Sequence, residues 1–162
     1  MFEKIRKMKN QKGFTLVELI VVLVILAILA AMLVPALTGY IDKANNQKIV
    51  AATRQVVMAA QTEVSEAYAS KTLKDTTTIT ITGTTATPAP EANTEVDGLK
   101  IVKLAEVGKF GASDAFTGLT NGISEIKITY TANGHVTEVA LKQGAKTCTY
   151  KEGAEENYKV TK

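Results

Sequence analysis

Lys12-Gly13-Phe14-Thr15-Leu16-Val17-Glu18 sets a glycine and a single carboxylate at the head of an unbroken apolar run. From Leu19 to Val34 every residue is Leu, Ile, Val, Ala or Met. A charged side chain inside hydrocarbon is costly and rare, and where it occurs it has a partner or a task. Glu18 is therefore the residue to explain. The run from Leu19 to Val34 gives about 24 Å of helix at roughly 1.5 Å per residue, short of a hydrocarbon core of roughly 30 Å. Extending it from Phe14 to Leu37 gives about 36 Å, so a span must begin near Phe14, which puts Glu18 about one turn inside it.

Charge follows the same division. The formal net charge of the 162 residues is +3. Lys4, Arg6, Lys7, Lys9 and Lys12 precede Phe14 against Glu3 alone, and the remainder is close to neutral. A general nucleic-acid binder needs a basic face to displace counterions from phosphates, and this distribution argues against one. Positive charge ahead of an apolar span instead holds the amino end in the cytoplasm, so everything from about Thr38 onward is expected outside. Cys148 is the sole cysteine, which excludes an intrachain disulfide and leaves stability to packing.

Two simpler readings of the leader exist. A cleaved secretory signal has a basic start, a short apolar stretch and a small-residue cleavage site, which Ala27 to Ala31 imitate. The apolar run, however, continues past those alanines. An uncleaved anchor helix is the other reading. Neither accounts for Gly13 beside Glu18.

Lys12-Gly13-Phe14-Thr15-Leu16-Val17-Glu18-Leu19-Ile20 resembles the class III signal of type IV pilins and pseudopilins, with a short basic leader, a Gly-Phe junction and a Glu five residues after the glycine. The resemblance implies that a membrane prepilin peptidase cuts after Gly13 and methylates the new amino terminus at Phe14. Residues 1–13 would be discarded, and the apolar helix would stay. It also implies homo-polymerisation with other pilin subunits, in which the Phe14 amine of one subunit pairs with Glu18 of its neighbour and selects the register of filament assembly. Such a pairing lets each charge offset the other's desolvation. The implied partners are the peptidase, the pilus assembly platform and its ATPases, and the membrane before assembly, with no specific nucleic acid and no cofactor. The implied localisation is a single-pass membrane protein with its C-terminus outside, and then an extracellular filament. Proline removes a helix hydrogen bond and clashes with the preceding turn, so Pro35 is expected to kink or loosen the helix. The missing disulfide departs from many proteobacterial pilins and is similar to the pilins of Gram-positive anaerobes, clostridia above all.

After Pro35 the pattern becomes striped. Ile49, Val56, Val57, Ala60, Val64, Ala67 and Tyr68 recur at three-to-four spacing, with Lys48, Arg54, Glu63 and Glu66 as polar surface between them, which predicts an amphipathic helix to about Lys71. Eight threonines crowd positions 76–87 ahead of Pro88-Ala89-Pro90, which reads as an exposed connector in which Ile79 and Ile81 permit a short strand. The stretch from Val96 to Val107 suits a further strand or a short helix, and the Gly108 to Gly122 loop has no legible shape. Ile126, Ile128 and Tyr130 alternate with polar residues, Asn133-Gly134 supplies the positive-φ pair of a hairpin turn, and Thr137, Val139 and Leu141 return. Gln143-Gly144-Ala145 then turns the chain into Thr147 to Lys151.

The expected fold is α+β and type IV pilin-like, with a long N-terminal helix packed on a C-terminal antiparallel sheet. Its expected parts are a leader at 1–13, a transmembrane and filament-core helix at 14–37, the amphipathic half of the same helix at 38–71, a Thr/Pro-rich loop at 72–98 and a β-rich outer domain at 99–162. No catalytic or metal-binding constellation is legible. His135 follows a turn, where solvation is expected; Cys148 reads as a small buried hydrophobe; Asp42, Asp75, Asp97 and Asp114 are too scattered for a calcium loop. The function that follows is a structural subunit, the major pilin of a type IV pilus serving adhesion, motility or biofilm formation. Alternatives are a minor pilin or pseudopilin of a secretion or DNA-uptake system, and a monomeric membrane-anchored binding or enzymatic domain.

Overall fold

The computed structural model describes residues 13–70, 73, 77–83, 85–87, 96–112 and 115–162. The leader ahead of Gly13, the Pro88-Ala89-Pro90 connector, Asp75 and Asp114 lie outside the described residues. The chain divides into two units, the second running from Ala44 to Lys162.

Helix α1 spans Leu16–Ala69. In the second unit its buried positions are Ile49, Thr53, Val56, Ala59, Ala60, Glu63, Val64 and Ala67, a stripe at the three-to-four spacing that turns one face of a helix toward a core. Inside that stripe the Thr53 hydroxyl donates to the Ile49 carbonyl at 2.8 Å and so needs no other partner.

That face is covered by an antiparallel sheet. The strands are β1 (Thr77–Thr82), β2 (Thr85–Thr87), β5 (Ile123–Tyr130), β6 (Val136–Gln143), β7 (Lys146–Lys151) and β8 (Tyr158–Thr161), in the order β2-β1-β5-β6-β7-β8. Between β1 and β5 the chain forms helix α2 (Gly98–Leu104) and a separate pair, β3 (Gly108–Phe110) with β4 (Phe116–Leu119). A long N-terminal helix on a C-terminal antiparallel sheet is the expected α+β arrangement. Ile79, Ile81, Ile126, Ile128, Tyr130, Val139, Leu141 and Cys148 project from the sheet into the core with the helix stripe.

Strand alternation survives only between bulges. In β5 both Ile123 and Ile126 are buried, and in β6 both Val136 and Val139, although an odd spacing should put them on opposite faces. The β5–β6 register shifts between Ile123 and Glu125 and again between Thr129 and Tyr130. An extra residue at a bulge reverses the alternation and lets both ends of each strand face the core.

Of the two forms expected within Val96 to Val107, the short helix is the one present, Gly98–Leu104, capped by Asp97, whose carboxylate accepts from the Leu99 amide at 2.8 Å. Two local expectations change. Glu63, expected as polar surface, is only 4% exposed, because Lys100 of α2 reaches it at 2.9 Å and Glu66 at 3.1 Å. A carboxylate can sit at the core's margin when a cation closes over it. The second change concerns the turns. Asn133 does not share the positive φ of Gly134; the five residues between β5 and β6 contain a turn in which the Gly134 amide donates to the Thr131 carbonyl, with glycine alone in the left-handed region. The positive pair lies instead at Asn121-Gly122, φ 55° and 73°, where the Ile123 amide donates back to Thr120 at 3.0 Å. That is the type I′ signature, inside the loop that had no legible shape.

Gly134 is also fixed by packing. A Cβ there would stand 2.9 Å from Tyr68, and its carbonyl accepts from the Gln61 amide at 2.7 Å, while Gln61 Oε1 accepts from the Val136 amide at 3.0 Å. One side chain of α1 thus holds the β5–β6 connection where it enters β6. At the other end of the outer domain the Lys146 ammonium donates to Asn46 at 2.7 Å. Arg54 lies 4.9 Å from the centre of the Tyr158 ring, which in turn meets Tyr150, and this tethers β8.

Candidate functional site

The amino end of α1 is built by its own side chains. Helix geometry begins at Leu16, so Thr15 is the residue just outside and Glu18 lies in the first turn. The Thr15 hydroxyl accepts from the Glu18 amide at 3.3 Å, while Glu18 Oε2 accepts from the Thr15 amide at 3.0 Å and from the Thr15 hydroxyl at 2.9 Å. This is a reciprocal capping box, which satisfies amides that a helix start otherwise leaves orphaned. The acid also stands at the positive end of the helix dipole. Sequence reasoning read Glu18 for its charge and missed the cap, although Thr-x-x-Glu ahead of an apolar run is its signature.

Gly13 and Phe14 precede that cap in backbone without regular structure, and both are exposed, Phe14 at 85%. A Cβ on Gly13 would meet nothing within 4 Å. The Gly13–Phe14 peptide therefore lies in non-helical chain next to a fixed helix start.

Beyond the cap, the large apolar side chains from Leu16 to Leu37 all lie exposed. Among the described residues, α1 is long and apolar enough to cross a membrane, its most apolar window reaching a mean hydropathy of 3.2. Helical geometry runs through Pro35. Since proline has no amide, the Ala31 carbonyl has no donor there, and the Thr38 hydroxyl donates to the Pro35 carbonyl at 2.9 Å.

The outer domain places the remaining sequence candidates apart. His135 is exposed beside its turn; Cys148 is buried as a free thiol and raised in pKa by burial, opposed by a Thr53 hydrogen bond and the charge of Arg54. Asp97 is spent on the α2 cap. A recess of about 780 Å³ between α1 and the β6–β7 pair is lined by Met58, Gln61, Ser65, Val136 and Tyr150 among others, with no histidine or cysteine. Among the described residues, no group of three or more His, Cys, Asp and Glu side chains is placed to hold a metal ion. The one part of the described chain where exposed apolar surface, a fixed acid and an open peptide converge is its amino end.

No solved structure matches the chain. Residues 8–34 match the family model for the prokaryotic N-terminal methylation motif, the class III signal peptide of type IV pilin-like proteins.

Proposed function

We propose that the chain is the major structural subunit of a type IV pilus, cut after Gly13, N-methylated at Phe14, and polymerised through the apolar part of α1. The observation that carries this reading is the wholly exposed apolar surface from Leu16 to Leu37, headed by an open Gly-Phe peptide. Such a surface is stable in lipid, and on leaving lipid it must be buried against other copies. Cleavage turns the Phe14 nitrogen into an amine about one turn from Glu18. The cap uses Oε2 of that carboxylate, so Oε1 faces the task of accepting the amine of an adjoining copy. Pro35, which cannot donate to the Ala31 carbonyl, is the place where the helix gives way when copies bundle.

Mass analysis of the N-terminus in filaments sheared from the cell surface tests this reading. Methylated Phe14 as the first residue of an abundant filament protein is the expected result. Absence from such filaments with the same processed terminus would assign it to a minor pilin or pseudopilin. An intact leader on a membrane-bound monomer would leave a tethered binding or enzymatic domain. The disulfide-free outer domain, with Cys148 buried as a free thiol, suits a Gram-positive source, and adhesion, motility or biofilm formation is the role such a filament would serve.

A further inference from the structure

The chain contains two Asn-Gly pairs, and the structure treats them oppositely. Asn133-Gly134 is locked: the Gly134 amide donates to Thr131 at 3.0 Å, its carbonyl accepts from Gln61 at 2.7 Å, and the glycine is buried against Tyr68. Asn121-Gly122 is open at its nitrogen: both residues are exposed, nothing lies within 4 Å of where a Gly122 Cβ would stand, and the Gly122 amide makes no hydrogen bond among the described residues, although the Asn121 carbonyl accepts from the Gln143 side-chain amide at 2.6 Å. Gly122 also lines a recess of about 390 Å³ shared with Lys48 and Lys146.

We infer that Asn121 is a site of spontaneous covalent modification, deamidation through a cyclic imide, and that Asn133 is protected from the same reaction. The Gly122 backbone nitrogen gives its proton to solvent base and attacks Asn121 Cγ. The new C–N bond closes a five-membered imide, and the Cγ–Nδ2 bond breaks to release ammonia. Water then opens either imide carbonyl, leaving aspartate or isoaspartate with no change of oxidation state. The nucleophile must be an amide that is free to move and to lose its proton. An amide already donating to a carbonyl must first break that bond by local opening, which lowers the reactive population in proportion. The lysines of the recess supply a positive field that favours the developing amide anion. Each event replaces a neutral side chain by a carboxylate next to the glycine that lines this recess, and the isoaspartate product also inserts a methylene into a type I′ turn. The surface of a long-lived copy thus changes with age at one defined place.

The test is a time course on the full chain at neutral pH and body temperature, reading the two Asn-containing peptides by mass and isoaspartate by enzymatic methyl transfer. Asn121 should convert at least roughly tenfold faster than Asn133 in the folded protein, the ratio set by the opening that Asn133 alone requires, and the two should converge in denaturant. Equal folded-state rates, faster loss at Asn133, or an unchanged Asn121 in a folded sample whose denatured control reacts would each overturn the proposal. Asn121→Asp supplies the product's mass and charge standard without perturbing the lock on Asn133.

Discussion

Glu18 holds the Thr15 amide and hydroxyl, so a substitution there changes two things at once. Glu18→Ala removes cap and charge together, while Glu18→Gln keeps a side chain able to complete the box but carries no charge. If an amine of a second copy needs the charge, both variants are cut normally after Gly13 and both lose most of their surface filaments. Normal filament yield from Glu18→Gln, measured by shearing and quantifying, would reassign the residue to capping alone. Thr15→Ala isolates the other half and should cost about 1 kcal/mol of helix stability. The glycines offer a second paired comparison. Gly122→Ala meets open space and should cost only the left-handed backbone, about 1 to 2 kcal/mol. Gly134→Ala adds a collision with Tyr68 at 2.9 Å and should destabilise the outer domain further in equilibrium denaturation. The Gly13, Phe14 and Glu18 spacing was legible because an acid beside a long apolar run has few explanations. The burial of Glu63 was not, because its reason is a lysine far along the chain.

Among the elements, the stripe on α1 and the β5–β6 hairpin were readable from periodicity, which survives as long as one face is consistently buried. The β3–β4 pair and β8 were not. Each is three or four residues long, and bulges or positive-φ turns, not alternation, decide where they lie. The sheet's central strands are predicted to dominate stability: Ile126→Ala or Leu141→Ala, both fully buried, should cost about 2 to 5 kcal/mol in denaturant unfolding. Alkali should weaken the same layer. Burial raises the Cys148 thiol above its usual 9.0, burial and then Tyr150 raise the Tyr158 phenol above 10.0, and hydrogen bonds to Glu63 and then Glu66 raise Lys100 above 10.5. In each case the unfolded chain loses its proton first. The corresponding stability is complete below the unfolded pKa and disappears as pH rises through the folded one. Denaturation midpoints should therefore hold through neutrality and fall above about pH 9, with Cys148→Ala removing the earliest part of that fall.

For the whole molecule, the two units differ in what they bury. The large apolar side chains from Leu16 to Leu37 lie exposed, whereas the residues from Ala44 onward hold a core of their own. Expression of residues 44–162 alone should give a soluble domain that unfolds in one cooperative transition and does not polymerise; loss of cooperativity would mean that the preceding helix contributes to its core. The motif region was recognisable because a glycine, a phenylalanine and one acid stand at short spacing ahead of a long apolar run. The outer domain answers only to its own packing, which many sequences satisfy, and its strand order was accordingly not readable in advance. Gln61 adds a mechanical consequence. It grips the connection between the two innermost strands, while Asn46 and Arg54 hold β7 and β8, so tension on α1 is shared between the middle of the sheet and one edge. The edge strand alone would unzip one bond at a time, whereas the middle strands must slide past neighbours on both sides before they part.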